Sequence, residues 1–220
     1  IRHIDAIILS HAHPDHYQGL SDILQCFPIA AVWYNGQAPE DPAWGSILER
    51  LATAQTPVHV AEEIIPLPPR WAELTFSVLP RPSQTGIRDD WSANDNSLVL
   101  LMRFHSFSAL FTGDIEKEAE RFLLPYLEPV DVLKVAHHGS ATSSSSAFLH
   151  RVRPRLAIAQ SDDGGRYNLP HPDIEQRYAQ HKIPFWTTGR CGAVQLHTDG
   201  SLISIIPYAP PEYLRRYCRP

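Results

Sequence analysis

Short apolar runs alternate along the chain with segments whose apolar residues recur at helical spacing. The first run, residues 4–9, predicts a buried strand, and the spacing that follows predicts a helix through Leu24. Further strands are predicted at 29–35, 58–61, 73–79, 97–104, 107–111, 131–136, 155–160, 184–188, 193–197 and 202–206. Helices are predicted at 43–54, 116–127, 145–152 and 173–182, the last capped by Asp173. This order predicts sheets covered by helices.

Length and composition describe an ordinary globular chain of 220 residues, 43% hydrophobic and 20% charged, which suits one large domain or two small ones. No apolar run approaches the roughly 20 residues of a membrane span. The formal net charge is −5, which argues against sequence-independent duplex binding through a basic face. Two divalent cations would largely offset that charge, so it does not decide the function.

Four potential metal ligands follow the first predicted strand: His11, His13, Asp15 and His16. His11 and His13 are two residues apart, so in extended backbone they point the same way and can hold one cation. Asp15 and His16 begin the next helix and can face a second cation. Imidazole and carboxylate together suit zinc, manganese or iron. The alternative is a polar surface turn, but four ligands at this spacing rarely coincide.

Two later strand ends carry further candidates. Asp114 follows Thr-Gly after a predicted strand and suits a carboxylate that bridges two cations, although it could also cap the next helix. His137 and His138 end another predicted strand. Because adjacent side chains point in opposite directions, we expect one of them, by preference His138, to bind metal. The other could donate to a phosphate oxygen.

Residues outside these strand ends are candidates for substrate contacts. His171 lies between two prolines and could contact substrate or act as general acid, or it could be a surface loop residue. Trp91 and Tyr167 lie in loops and could stack on bases, although tryptophans spread along a chain are usually core residues. The candidate substrate-binding residues are Asn96, Ser140, Lys134 and Arg166, with Arg190 as a further cation for flanking phosphates.

Taken together, these motifs resemble a known family. The pattern His-x-His-x-Asp-His after an apolar strand is the signature of the metallo-β-lactamase superfamily. With NDNSLVL at 94–100, LFTGDIE at 110–116, LKVAHHGS at 133–140 and the later His171-Pro172, the chain is similar to the C-terminal domain of ComEC-type competence proteins. Those proteins are membrane channels for the uptake of single-stranded DNA. The resemblance covers residues 4–199.

The resemblance implies an α+β fold, an αββα sandwich, over residues 1–206, with 207–220 as an irregular tail. Such proteins normally have strands before the signature, so we expect a fragment of a longer chain that lacks its first N-terminal strands. The implied cofactors are two divalent metal ions, manganese or zinc, with no organic cofactor. The usual further histidine of the first metal site is replaced by the region 94–96, whose amide oxygens favour manganese.

The implied function is a phosphodiesterase or nuclease domain that degrades DNA by attack of metal-bound hydroxide on phosphorus, with Asp15 and His171 as catalytic residues. Its partners would be single-stranded or duplex DNA and the membrane channel portion of the same polypeptide. It would be a soluble domain of an integral plasma-membrane protein, on the extracytoplasmic face or alternatively the cytoplasmic face. The competing hypotheses are a stand-alone metallo-hydrolase of a small ester, thioester or phosphodiester, and a non-catalytic domain that binds DNA or metal.

Overall fold

The computed structural model of the protein describes residues 2–39, 41–62, 64–82, 86–162 and 165–208. Three strands form a parallel sheet: β1 (Ile7–Ile8), β2 (Val32–Tyr34) and β3 (Val58–Val60). Seven more form the large sheet of the described region: β4 (Ile64–Ile65), β5 (Leu74–Val78), β6 (Leu100–Phe104), β7 (Phe107–Phe111), β8 (Val132–Lys134), β9 (Leu156–Ala159) and β10 (Phe185–Thr187). Its strands lie in sequential order, antiparallel from β4 to β7 and parallel from β7 to β10.

The helices are α1 (Pro14–Tyr17), α2 (Leu20–Cys26), α3 (Pro42–Thr53), α4 (Lys117–Leu123), α5 (Ser146–Val152), α6 (Pro172–Gln180) and α7 (Thr188–Cys191). A separate antiparallel ribbon consists of β11 (Val194–Thr198) and β12 (Ile203–Pro207). Helices α1 to α3 pack on the small sheet, and α4 to α6 pack on the large sheet. No helix in the described ranges has both the length and the apolarity that a membrane crossing requires.

Alternation of side chains along the strands builds the layers. Val32 packs towards the helices while its neighbour Trp33 packs between the two sheets. In the large sheet, Leu101 faces the helices while Leu100 faces the other sheet. Each sheet therefore has one apolar face against the other sheet and one against helices. This confirms the αββα sandwich expected from the resemblance.

The sandwich brings three strand ends to one edge. Strands β7 and β8 are parallel, with Phe111 paired to Lys134, so the turns that follow them leave the sheet side by side. The small sheet is joined to this edge by the hydrogen bond from the Leu98 N–H to the Ser10 carbonyl, 2.8 Å. Ligands carried by β1, β7 and β8 therefore meet at the carboxyl ends of their strands, where open α/β sheets bind ligands.

Several element boundaries differ from the sequence predictions. The first strand is shorter than 4–9, because Ile4 makes only an isolated bridge to Ile29. The helix predicted at 116–127 ends at Leu123 and continues as a 3₁₀ turn, because Pro125 has no N–H for an α-helical bond. The helix predicted from 173 is capped by His171 rather than Asp173. Strand β12 includes residue 207, and 209–220 of the predicted tail lie outside the described residues.

Candidate metal centre

Four side chains from three strand ends each bring one ligand atom within 4.8 Å of the others: Asp15, His16, Asp114 and His138. Asp114 Oδ2 lies 3.2 Å from His16 Nε2 and 3.3 Å from His138 Nε2. Asp15 Oδ2 lies 3.5 and 3.4 Å from the same two nitrogens. Ligands about 2.1 Å from a tetrahedral ion are about 3.4 Å from each other. These separations therefore fit a single divalent cation.

The cluster has a closed side and an open side. The side chain of Asp114 is only 3% exposed, whereas that of Asp15 is 63% exposed. Asp114 follows β7 and forms the floor, while Asp15 lies in the first turn of α1 at the solvent side. A substrate would therefore reach the centre past Asp15.

Contacts behind the ring nitrogens orient the imidazoles. His138 Nδ1 lies 2.7 Å from the carbonyl oxygen of Gln160, so Nδ1 donates and Nε2 keeps its lone pair in the neutral ring. Ser10 Oγ lies 3.1 Å from His11 Nδ1 and 3.2 Å from His16 Nδ1. Because both Nδ1 atoms are engaged by this hydroxyl, both Nε2 atoms are directed to the centre. Ser10 was not predicted as a site residue, although it directly precedes the signature.

Unpartnered atoms test whether the residues fit a metal. Among the described residues, three buried side-chain nitrogen or oxygen atoms lack a hydrogen-bond partner: His11 Nε2, His138 Nε2 and Asn94 Oδ1. Two of them belong to predicted metal ligands. Buried polar atoms are normally satisfied because leaving one unpaired costs free energy. Imidazole lone pairs left unpaired beside the buried carboxylate of Asp114 are what a divalent cation requires, so the residues fit the metal that the motif predicts.

Protonation states also suit cation binding. Burial, reinforced by nearby His16, lowers the pKa of His11 to about 3, so its imidazole is neutral. Burial raises the pKa of Asp114, but the neighbouring His138 and His16 imidazoles and the charge of Lys134 outweigh it, and the net pKa lies below the usual range. His11 and Asp114 are therefore held in the forms that bind metal ions.

Lys134 occupies a different place from the phosphate-binding position predicted for it. Its Nζ donates to the carbonyl oxygen of Gly113 at 2.8 Å and lies 3.2 Å from Asp114 Oδ1. Thr112 Oγ1 donates to the Lys134 carbonyl oxygen at 2.8 Å, so the ends of β7 and β8 are joined twice. The ammonium group is thus directed at the floor of the centre and not at solvent.

The two adjacent histidines form an unusual turn that directs their side chains to different places. His137, His138 and Gly139 all have left-handed backbone, with φ of 48°, 54° and 85°. Non-glycine residues rarely adopt this conformation, and it concentrates at functional sites. A Cβ on Gly139 would lie 2.6 Å from Pro170 Cβ, so only glycine fits there. The turn brings His138 into the cluster and leaves His137 outside it.

The remaining metal candidates lie beside the cluster. The ring centroids of His11 and His13 are 4.7 Å apart, and those of His11 and His16 are 4.2 Å apart. The His13 side chain makes no capping bond to α1 although it stands at the cap position. His11 and His13 thus form a second pair of imidazoles next to the four-atom cluster.

The residues predicted to contact substrate differ in their distance from the centre and in how far their polar groups are already hydrogen-bonded. The amide of Asn96 is committed to its own loop, with Oδ1 accepting from the Arg88 N–H at 2.8 Å and Nδ2 donating to the Arg88 and Ser92 carbonyls. This leaves Asn96 as a structural residue instead of a substrate contact. Ser140 Oγ lies 3.0 Å from Thr142 Oγ1 on the histidine turn. The amino-acid sequence alone does not show which of Asn94 and Asn96 has a structural role.

The loop residues lie further out. The His171 N–H donates to the Gly139 carbonyl at 2.9 Å, which places His171 beside the histidine turn. Arg166 is exposed, with its guanidinium carbon 5.6 Å from the ring centre of exposed Tyr167. Arg190 pairs with Glu175 at 2.5 Å. Trp91 packs partly into the core, and Arg88 lies over its ring.

Comparison with known proteins identifies relatives. The family model for the metallo-beta-lactamase superfamily matches residues 1–160. The chain is 29% identical to ComE operon protein 3 of Bacillus subtilis over 216 residues, which is 96% of this chain and 26% of that protein. It is 31% identical to Recombination protein 2 of Haemophilus influenzae over 194 residues, 88% of this chain and 22% of that protein. The chain thus spans about a quarter of the length of these relatives.

Solved structures agree on the fold. CmlA beta-hydroxylase, as its E377D mutant, matches with a TM-score of 0.54 and 16% identity over 94% of this chain and 45% of that chain. A putative metal-dependent hydrolase from Parabacteroides distasonis matches with a TM-score of 0.53 and 12% identity, over 86% of this chain and 78% of that chain. At such identities the likeness concerns the fold alone.

Proposed function

The chain belongs to the metallo-beta-lactamase superfamily, and from that premise we propose that it is a metal-dependent phosphodiesterase that cleaves DNA. The family and the named relatives support a metal-dependent hydrolase. The proposal of a phosphodiesterase rests on one observation. The ligand atoms of two carboxylates and two imidazoles lie within 4.8 Å of one another, and two further imidazoles lie beside them.

Each ligand has a distinct place in the proposed centre. Asp15, His16, Asp114 and His138 would hold one divalent cation, and His11 and His13 would hold a second. Such cations supply positive charge to a phosphodiester and a source of hydroxide at neutral pH. Asp114, buried and held by Lys134, keeps its carboxylate oriented. Ser10 and the Gln160 carbonyl keep the ring nitrogens directed inwards.

Proton transfers would fall to two residues at the open side. Asp15 is the exposed carboxylate of the cluster and can accept a proton from water that enters there. His171 lies beside the histidine turn and uses Nδ1 to accept the Asp173 N–H at 3.2 Å. Its Nε2 is therefore the nitrogen that would give a proton to the leaving oxygen.

The choice of DNA as substrate rests on the relatives and on the rim of the site. Two of its relatives are named Recombination protein 2 and, in Neisseria gonorrhoeae, Competence protein ComA. On the loop that leads to His171, exposed Tyr167 with Arg166 pairs an aromatic ring with a cation, the combination that single strands favour. We further propose that this domain is part of a longer protein that forms a membrane channel, and that the domain lies on the extracytoplasmic face of the membrane. Protease accessibility in intact cells would test that orientation.

Cleavage of end-labelled single-stranded and duplex DNA by the purified protein with added Mn²⁺ tests the function. His138→Ala should reduce cleavage by at least 100-fold, because it removes a nitrogen of the cluster. His150→Ala is the matched control, since His150 is exposed on α5 and should leave cleavage unchanged. Undiminished cleavage by His138→Ala would reject the proposal.

A small-ester hydrolase is the second candidate, and one observation favours it. An open cleft of about 380 Å³ adjoins His16 and Lys134 and is lined by apolar side chains from both sheets, Ile8, Phe76, Leu98, Leu100 and Phe111. An apolar acyl group would fit such a cleft better than a nucleotide. Parallel assays on 4-nitrophenyl butyrate and bis(4-nitrophenyl) phosphate separate the two: ester turnover without DNA cleavage would favour the second candidate.

A further inference from the structure

The histidine turn, residues 137–139, needs support from outside itself. His137 and His138 are consecutive non-glycine residues with left-handed backbone, at φ of 48° and 54°. Such backbone is strained and persists only where neighbouring groups hold it in place. A displacement of this turn would move His138 Nε2 away from Asp114 Oδ2, from which it lies 3.3 Å. The groups that hold the turn therefore decide whether the four-atom cluster is complete.

A buried hydroxyl joins the two ends of this turn. Ser143 is 0% exposed, and its Oγ lies 3.0 Å from the carbonyl oxygen of Ala136 and 3.0 Å from that of Ser140. These two carbonyls stand immediately before and immediately after residues 137–139. The Ser143 N–H also donates to the Ser140 carbonyl, at 3.1 Å. Ser143 thus closes the chain segment that carries His138 into a loop.

Ser143 is itself held by buried groups on two helices. On α6, Arg177 Nη1 donates to the carbonyl oxygens of Ser143 and Ser144, at 3.0 and 2.8 Å. On α4, the carboxylate of fully buried Glu120 accepts the N–H groups of Ser144 and Ser145. A cation therefore holds the carbonyl groups of this segment and an anion holds its N–H groups, so Ser143 has little freedom to turn away from the histidine turn.

We propose that Ser143 is a positioning residue for His138, and that its buried hydroxyl fixes the histidine turn so that Nε2 completes the metal cluster. The inference rests on the proposed function, because it takes this cluster to be the metal site. Without the hydroxyl, the strain of the left-handed residues is released by movement of the turn, and the His138 ring moves with it. Groups that orient a metal ligand from behind change metal affinity by about 10- to 100-fold when they are removed.

Titration calorimetry of the chelator-treated protein with Mn²⁺ tests the inference. Ser143→Ala should weaken Mn²⁺ binding by about tenfold or more, because the turn no longer holds Nε2 in the cluster. Ser143→Cys keeps a weak S–H donor and should lose part of this affinity. Amide hydrogen exchange of the metal-free protein gives a second measure. The Ser140 N–H, which donates to the His137 carbonyl at 2.8 Å, should exchange faster in Ser143→Ala than in wild type.

Ser144→Ala is the matched control, because it removes an equally buried hydroxyl from the next residue of the same loop. Ser144 is also 0% exposed, but its Oγ lies 3.1 Å from the hydroxyl oxygen of Tyr178. Both variants should lose stability in thermal unfolding without metal, since each lacks a buried hydrogen bond. Only Ser143→Ala should also lose Mn²⁺ affinity and protection of the Ser140 N–H. Equal losses of affinity in the two variants would show a merely structural role and overturn the inference.

The outcomes separate this inference from the proposed function. Wild-type Mn²⁺ affinity in folded Ser143→Ala would overturn the role of Ser143, while DNA cleavage that is lost in His138→Ala would continue to support the function. If Ser143→Ala does not fold, Ser143→Cys decides, because its S–H group is too weak a donor to replace the hydroxyl, and wild-type affinity in that variant overturns the inference. A wild-type protein that binds no Mn²⁺ would reject the proposed centre and the inference with it.

Discussion

Lys134 and Asp114 form an ion pair at the floor of the centre, with 3.2 Å between Nζ and Oδ1. The other carboxylate oxygen, Oδ2, faces His16 and His138. The two oxygens of Asp114 are thus divided between a fixed internal cation and the place of a bound one. Because both side chains are largely buried, the pair fixes which oxygen is offered to a metal.

Replacing Lys134 should therefore damage the centre without touching a ligand. In Lys134→Met, Asp114 loses its counter-charge and is free to rotate, so we expect at least tenfold weaker Mn²⁺ binding. Leaving a buried charge unpaired also costs about 3 kcal/mol of folding free energy. Titration calorimetry and denaturant unfolding measure the two effects. The exposed Lys117→Met, at the start of α4, should change neither, and equal behaviour of the two variants would contradict the assignment.

The sequence predicts the metal ligands of this centre better than the residues that orient those ligands. The histidines and Asp114 follow apolar strands, and parallel strand ends meet at one edge, so their convergence follows from pattern alone. Lys134 was predicted only as a cation that could neutralise a flanking phosphate. Its actual partners, on the neighbouring β7 turn, depend on the pairing of β7 with β8. Sequence spacing cannot reveal that pairing.

Gly113 lies where the three strand ends are most crowded. Its φ is +54°, and a Cβ there would lie 2.7 Å from Ser97 Cβ and 2.9 Å from Ser10 Cβ. Gly113→Ala should therefore lower the free energy of unfolding by about 1–3 kcal/mol and weaken Mn²⁺ binding, because Ser10 orients two histidines.

Gly19→Ala is the matched control for Gly113→Ala, since a Cβ at Gly19 meets nothing within 4 Å. Gly19 is the N-cap residue of α2, and its φ of −61° is one that alanine adopts without strain. Thermal unfolding and metal titration of both variants provide the comparison. A Gly113→Ala protein as stable as Gly19→Ala, with wild-type affinity, would disprove the crowding argument.

Glu120 gives the protein a pH-dependent stability term away from the metal ligands. It is fully buried on α4 and accepts the N–H groups of Ser144 and Ser145, the latter at 2.8 Å. Burial raises its pKa above the ordinary 4.5, although hydrogen bonds from Ser145 and Ser144 oppose this. The folded state then binds the proton more tightly than the unfolded chain, so this group's contribution to stability is lost as pH rises from 4.5 through the folded pKa.

Glu120→Gln should flatten the dependence of stability on pH above 4.5, because glutamine does not titrate. It should also lower stability at every pH by about 1–2 kcal/mol, since an amide replaces a carboxylate that accepts two backbone donors. Urea unfolding across a pH series measures both effects. Glu118→Gln, exposed on the same helix, should follow wild type. An identical slope in wild type and Glu120→Gln would show that the carboxylate does not titrate as argued.

Asn94 and Asn96 show why part of the site could not be predicted. Both belong to one polar loop, and composition favours neither. The fold distinguishes them, because the Arg88 backbone reaches the amide of Asn96, whereas Asn94 Oδ1 receives no donor. The direction of a side chain in a loop depends on contacts with distant segments, which periodicity does not encode. The predicted Asp173 cap was wrong for a similar reason, since His171 Nδ1 takes the Asp173 N–H.

His171 therefore combines a structural and a proposed catalytic role, and two substitutions separate them. Asparagine is a good N-cap residue, so His171→Asn should retain stability, whereas His171→Ala should lose about 1 kcal/mol. If Nε2 gives the proton to the leaving oxygen, both variants should lower the rate of DNA cleavage at saturating substrate by 100-fold or more, because neither has an acid there. Thermal unfolding and single-turnover cleavage measure the two properties independently. Wild-type cleavage by His171→Asn, with loss of stability only in His171→Ala, would leave His171 as a cap and remove it from the reaction.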